Sequence, residues 1–389
     1  MKNYFKIIIV LFLSIAFISP VFFSGDVYAD KLQEAIAKTP VGTGEGQLDP
    51  NAEPGFLEIK GAPKPSIVIG FFWAIWVGWI FSTVGAFGGI MAGVGHITVF
   101  GLADYAKSFK QTSPALNKFI TDSIRVSNQW MVGLSACVSS FNYYKMGRLV
   151  LPLGIALAVG SVAGSFLIPI ITAGKVSLKA YLGYFGLVVL TIGGFLFYET
   201  TPAGQAKKKD AKKAAKAFEE AHIKKDGDEG KVSVEDSGVK VTKWGLDRIE
   251  FSFYGVEFNF RPIIPVIGGF CIAAIASFVG VGGGFLFVPF LTSVANLPMF
   301  LVAGTSALTV LVGMVISIVT YMLIKGVVVY WPLIGIELIG VFVGSMVGPL
   351  TSKYIPDIWL KRLFVVLALY VGLRYTTKGF LGYSIVPPF

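Results

Sequence analysis

Two short glycine runs interrupt apolar stretches of membrane length, and the chemistry they offer is anion binding. Val279-Gly280-Val281-Gly282-Gly283-Gly284 lies within the apolar run from Ile263 to Leu291, and Val84-Gly85-Ala86-Phe87-Gly88-Gly89 closes the run that begins at Ile67. Lipid offers backbone N–H and C=O groups no partner, so a helix broken at membrane depth survives where it is buried in protein or lines a cavity. Glycine backbone in that setting presents amide N–H groups to an anion, often at the start of a half-helix. Gly282, Gly283 and Gly284, faced by Gly85, Gly88 and Gly89 from the other run, are therefore the first candidates for a substrate site. A nucleotide loop would need Gly-Lys-Ser/Thr within a strand-and-helix unit, and the sequence has neither.

Polar side chains follow each run. The second half places Thr305 and Ser306 at the start of its next apolar segment, where the first half offers Arg125, Ser127 and Asn128. Arg125 is the most informative, because a cation in a membrane helix is costly unless it has a use or reaches the interface. One reading makes Arg125 a substrate contact; the other makes it a snorkelling residue paired with Asp122 one turn earlier. Glu337 lies in an apolar segment where the first half has Leu157, and is a candidate for proton coupling or an interfacial residue beside Trp331.

Cys137 and Cys271 lie in apolar segments and predict no disulfide, and His96 and His222 stand apart from any acidic or cysteine cluster. No metal spacing, redox or nucleotide cofactor signature, or catalytic set of Ser with His or paired Asp emerges. The chain reads as a non-enzyme without a cofactor.

The elements that must position these residues are membrane helices. Of 389 residues, 54% are hydrophobic and 14% charged, with a mean hydropathy of +0.71. Several apolar runs are about 20 residues long, the span of a bilayer core. This predicts an all-α polytopic membrane protein; the ten-residue alternating segments of a barrel are absent. The net charge of +10 comes from lysines outside the apolar runs, which is a topology signal rather than a nucleic-acid surface.

Along the chain, residues 1–29 carry Lys2 and Lys6, an apolar core and small residues before Asp30, as in a signal peptide or an N-terminal anchor. Residues 30–65 read as a polar, poorly ordered extracytoplasmic arm. Residues 66–198 form membrane repeat 1, residues 199–261 a charged cytoplasmic linker with a solvated lysine-alanine helix and a small strand pair around Val232-x-Val234, and residues 262–389 membrane repeat 2.

The repeat rests on two alignments. Gly85, Gly88 and Gly89 superpose on Gly280, Gly283 and Gly284; Lys145, Pro152, Gly160, Gly164 and Ser165 superpose on Lys325, Pro332, Gly340, Gly344 and Ser345. Extra chain around Asp104 to Asn117 takes up the change of register. Each half then holds one glycine-broken segment and three spanning helices: Ile120 to Phe141, Leu149 to Ile171 and Leu178 to Tyr198, then Leu301 to Ile324, Val329 to Leu350 and Leu360 to Tyr375. The small-residue pairs Gly160/Gly164 and Gly340/Gly344 suit close helix approach. If each broken segment returns to its own side, the halves are inverted and Lys145, Arg148, Lys353, Lys361 and Arg362 are cytoplasmic; if each spans, the halves are parallel with eight crossings. The charge distribution favours inversion.

Val279-Gly280-Val281-Gly282-Gly283-Gly284, then Val288-Pro289 and Gly304-Thr305-Ser306, resemble the signature of the TauE/SafE sulfite exporter family. The resemblance covers about Ser66 to Tyr198 and Arg261 to Phe380. It is diluted in the first copy, where Phe87 replaces a glycine. It implies a secondary transporter of sulfite, an organosulfonate or another sulfur oxyanion, in the inner (plasma) membrane. The remaining alternatives are a membrane assembly or interaction protein, or a carrier of another small anion or a metal. The expected partners are a small anion and the lipid bilayer, with no nucleic acid; a homo-oligomer is left open.

Overall fold

The computed structural model describes residues 26–172, 178–227, 238–279 and 284–386. Most of the signal-like segment, the Val232-x-Val234 stretch, Gly282 and Gly283 lie outside these residues.

The body is helical, an all-α polytopic membrane protein. After α1 (Asp26–Ala37), the run from Ile67 folds as α2 (Ile67–Val84), with Ser66 accepting the amide of Ile69 as its cap. Gly85, in the left-handed conformation at φ +75, ends it. The chain reverses into α3 (Gly88–Val94), extended by a π-helical turn over Gly95–Val99. Next come α4 (Leu102–Ser108), α5 (Pro114–Lys145), α6 (Leu151–Thr172) and α7 (Leu178–Thr200). α5 extends beyond its apolar run at both ends, and Leu116 near its start is buried against the arm. The later part of the chain holds α10 (Ile263–Val279), α11 (Gly284–Ser293), α12 (Met299–Val319, with a π-helical turn over Thr320–Ile324), α13 (Trp331–Ser352) and α14 (Asp357–Phe380). Among the described helices, Ile67–Val84, Met299–Ile324 and Trp331–Ser352 are long and apolar enough to cross a membrane. Large apolar residues such as Phe72, Val159, Phe195, Ile267 and Phe342 stay exposed on the outside of the body, where lipid rather than water would meet them.

The helices pair reciprocally. α2 packs along α13 in the same direction: Gly340 meets Phe71 and Ala74, Gly344 meets Ile75 and Trp79, and Gly348 meets Ser82. α10 packs along α6 in the same way, with Gly160 against Val266 and Phe270 and Gly164 against Phe270 and Ala273. At Gly340, Gly344, Gly160 and Gly164 a Cβ would collide with the facing backbone, and at Gly348 with the Ser82 side chain, so the missing side chain sets the helix separation. α5 packs on α12, and α7 runs antiparallel to α14, with Gly186 at Thr376 and Gly193 at Ala368.

Each broken segment doubles back. Trp73 Nε1 of α2 donates to Met91 O of α3 at 3.0 Å, and Phe100 and Leu102 return to the buried cluster that holds Leu333 near the start of α13. On the other half, Phe290 of α11 packs over Gly268 of α10, and Thr292 and Ser293 return to the level of Glu199 at the end of α7.

Residues 30–65 differ from the expectation of a poorly ordered arm. Leu32, Leu48, Phe56, Leu57 and Ile59 are buried against Phe109, Leu116, Ile120 and Leu333, and the Phe56 ring lies 5.5 Å from Tyr330. Thr39 Oγ1 bonds Ser113 Oγ at 2.8 Å. The insertion around Asp104 to Asn117 is the seat of this arm.

The linker caps the opposite end. After α8 (Pro202–Ala206), α9 (Lys209–Gly227) buries Ala211, Ala214, Ala215, Phe218 and Ala221, one face at helical spacing, so it is half-buried rather than fully solvated. A three-stranded antiparallel sheet follows, in the order β1 (Val239–Lys243), β2 (Ile249–Phe253), β3 (Val256–Phe260). Phe253 and Phe300 sandwich the Phe218 ring at 5.9 and 4.2 Å, and Arg148 packs over Phe218 at 5.1 Å. Buried Arg148 also donates to the carbonyls of Phe300 and Pro349 and to Ser352 Oγ, each at 3.3 Å.

Candidate functional site

A cavity of about 190 Å³ lies where the two broken segments meet. Gly88, Gly89, Ile90, Gly93, Ile97 and Thr98 line it from the first, and Gly284 and Phe285 from the second. α5 contributes Arg125, Asn128 and Gln129, α12 contributes Val310 and Met314, and α14 contributes Arg374, Tyr375 and Lys378. The wall therefore carries three cationic side chains over an apolar floor that includes Phe81 and Phe87.

The two arginines are held in place by hydroxyls and one carboxylate. Arg125 donates to Asp122 Oδ1 at 3.0 Å and to Tyr321 Oη at 2.7 Å, with its side chain 34% exposed. Arg374 donates to Tyr370 Oη at 3.1 Å and to Thr98 Oγ1 at 3.4 Å, which ties α14 to the first broken segment. Arginine's planar fork of donors suits tetrahedral oxyanions. Gln129 Oε1 is buried without a hydrogen-bond partner.

Of the residues singled out in the sequence, Gly88, Gly89, Arg125, Asn128 and Gly284 share this wall. Gly85, Thr305 and Ser306 do not. Ser306 Oγ donates to Gly85 O at 3.0 Å, and a Cβ at Gly85 would collide with that hydroxyl. Thr305 Oγ1 accepts from Val150 N at 3.1 Å and donates to Leu301 O at 2.7 Å. These three residues lock the end of α2 and the start of α6 onto α12, behind the cavity. Phe87, which stands where the second copy has Gly282, sits at φ +66 with its ring 4.8 Å from Phe364. It holds a left-handed conformation that glycine adopts without strain.

Glu337 is 1% exposed and lies beside the first broken segment. Its Oε2 is 2.9 Å from Nε2 of His96, itself 1% exposed on the π-helical turn, and His96 Nδ1 is 2.5 Å from Asn128 Oδ1. Because an amide oxygen only accepts, Nδ1 carries a hydrogen. Asn128 thus turns its oxygen to the histidine and its NH2 toward Gly93 on the cavity wall. Glu337 Oε1 is buried without a hydrogen-bond partner, and Gly70 of α2 leaves the room beside it.

Sequence reasoning passed over Thr98, Gln129, Arg374 and Lys378, and weighed His96 only as a metal ligand. Arg374 carried the signal that drew attention to Arg125, a cation inside an apolar run, and His96 follows a glycine just beyond a helix break.

The match that decides the family covers nearly all of this arrangement: the family model described as Sulfite exporter TauE/SafE matches residues 70–375, which hold both broken segments, Arg125, Glu337 and Arg374. The chain belongs to the TauE/SafE family. As a TauE/SafE protein it is a membrane transporter of the sulfite-exporter type, which agrees with its apolar helices. Lys378 falls just beyond the matched residues. No curated protein and no solved structure shows a significant match to the chain.

Proposed function

We propose that this TauE/SafE protein is a secondary, multi-pass carrier of a small sulfur oxyanion or sulfonate in the plasma membrane, working by alternating access between two inverted repeats. The observation that carries the reading is the cavity where both broken segments converge beneath Arg125, Arg374 and Lys378. In it, Arg125 and the NH2 of Asn128 contact the anion, while Gly88, Gly89 and Gly284 supply backbone donors and room; Gly282 and Gly283, the other expected donors, lie outside the described residues. The apolar floor would accept the organic part of a sulfonate. Gly85, Thr305 and Ser306 act one layer behind, as the lock between α2 and α12 that any rocking of one half must respect.

Inversion is supported by helix direction. α2 and its counterpart α10 start at opposite ends of the body, one beneath the arm and the other beneath the linker, and each partners the next-to-last helix of the other half, α13 and α6. A substrate held at such a crossing faces one side or the other as the halves rock. Glu337 is the coupling candidate, as a fully buried carboxylate whose partner is a histidine bonded to the cavity-wall residue Asn128, whereas Asp122 is paired with the arginine Arg125.

The test is uptake of 35S-labelled sulfite, a sulfonate and control anions into proteoliposomes. Sulfur anions should enter faster than into empty vesicles, and Arg125→Ala should abolish uptake while leaving expression normal. Entry no faster than in empty vesicles across several pH gradients would end the carrier reading.

A further inference from the structure

We propose that His96 and Glu337 together form the proton site of this carrier, and that Asn128 links its occupancy to the anion cavity; the inference rests on the transport reading above. The Nδ1–H bond to Asn128 leaves only Nε2 to face Glu337. At 2.9 Å, Nε2 and Oε2 need one proton between them, as imidazolium with carboxylate or imidazole with carboxylic acid. The pair is then neutral. Without that proton, two acceptors confront each other and the pair carries a net charge of −1 at a site 1% exposed, which neither burial nor the lone-pair contact tolerates. Deprotonation therefore opens the contact.

What opens is a link between moving parts. His96 sits on the π-helical turn of the first broken segment, and Glu337 on α13 of the other half. Among the described residues, the other groups facing His96 and its turn do not supply a second charge partner. From α5 come Asn128 and, one turn away, Arg125 paired with Asp122; from α12, Tyr321 bonded to Arg125; from α14, Arg374 bonded to Thr98; from α2, Trp73 bonded to Met91 O. Phe100 packs at 5.9 Å.

The electrostatic sign fixes the direction of coupling. An anion in the cavity repels the −1 state of the pair and favours the neutral one, so anion binding and proton uptake promote each other. A proton from water on one side forms the N–H or O–H bond between Nε2 and Oε2, and the same bond breaks to water on the other side. The transported unit is one anion with one proton.

The experiment uses wild-type proteoliposomes loaded with a pH-sensitive dye, with [35S]isethionate and [35S]sulfite as separate probes. Isethionate entry without an imposed gradient should acidify the lumen. A one-unit inside-alkaline gradient should drive about tenfold accumulation at one proton per anion. In Glu337→Gln and His96→Gln, exchange of labelled for unlabelled anion should remain within about twofold of wild type. Lumen acidification and gradient-driven accumulation should fall to empty-vesicle levels in both variants. Anion entry into wild-type vesicles without proton movement, or gradient-driven accumulation retained by Glu337→Gln, overturns the proposal. Absence of exchange by wild type overturns the carrier reading itself. Should both variants misfold, the wild-type proton count alone decides.

Discussion

Gly344 of α13 lies so close to Ile75 of α2 that a Cβ there would collide with the Ile75 carbonyl and stand 2.8 Å from Trp79 N. Gly160 of α6 stands in the same relation to Val266 of α10. Since backbone rather than a movable side chain blocks the space, relief requires the helices to separate. Gly344→Ala and Gly160→Ala should each destabilise the protein by about 1–3 kcal/mol, the range for overpacking. Gly194, with nothing within 4 Å of its Cβ position, is the control, and its alanine variant should match or exceed wild type by up to about 1 kcal/mol. Thermal unfolding in detergent reads the order. Equal midpoints for all three would remove close approach as the reason for these glycines.

Arg374 is predicted to matter for substrate affinity nearly as much as Arg125. A hydrogen bond to a charged group is worth about 1.5–3 kcal/mol, roughly 10- to 100-fold in an equilibrium constant. Arg374→Ala should raise the KM for sulfite by about that factor. Lys378, which is exposed, should shift it less than about fivefold on substitution by alanine. Concentration-dependent uptake measures both. A KM for Arg374→Ala within twofold of wild type would take this residue off the substrate wall.

The helices were legible because their cause is local. An uncharged, mostly apolar run of 18 residues from Ile67 to Val84 admits little besides a membrane helix, and the structure has a helix with those bounds. The first glycine break was legible for the same reason, since Gly85 ends that helix in the left-handed conformation. What spacing could not supply was facing. A hydroxyl beside a glycine serves equally as ligand or as lock, and only the fold shows Ser306 bonded to Gly85 with its back to the cavity. Arg374 and His96 reach the site from distant parts of the chain, through α14 and a π-helical turn whose geometry leaves no mark in the hydropathy pattern. The arm was misread because its composition is polar and rich in Gly and Pro, while a few apolar anchors such as Phe56 and Ile59 suffice when a preformed surface awaits them.

Phe56 is the anchor to test. It is fully buried, against Tyr330 and the cluster around Leu116 and Leu333. Phe→Ala in a packed site removes about 3–5 kcal/mol, and here the loss falls on docking of the arm rather than on the membrane body. In detergent, the wild-type arm should resist protease. Phe56→Ala should be cut between residues 30 and 65 while the body stays intact, as intact-mass analysis would record. A wild-type arm cut as fast as the variant would mean that the docked state is not the populated one.

Arm and linker sit at opposite ends of α13: Leu333 lies in the arm cluster, and Ser352 Oγ accepts from Arg148 beneath the linker helix. If α13 crosses the bilayer, they must face opposite compartments. The lysines and arginines Lys145, Arg148, Lys353, Lys361 and Arg362 all lie toward the linker end, which the positive-inside rule assigns to the cytoplasm. In a Cys137→Ala/Cys271→Ala background, an impermeant maleimide applied to intact cells should label Glu45→Cys. Lys212→Cys should label only after the membrane is opened. Both positions are exposed, so access is not limited by the protein. Labelling of both from outside would place arm and linker on one side, which would exclude the inverted arrangement and favour parallel halves with eight crossings.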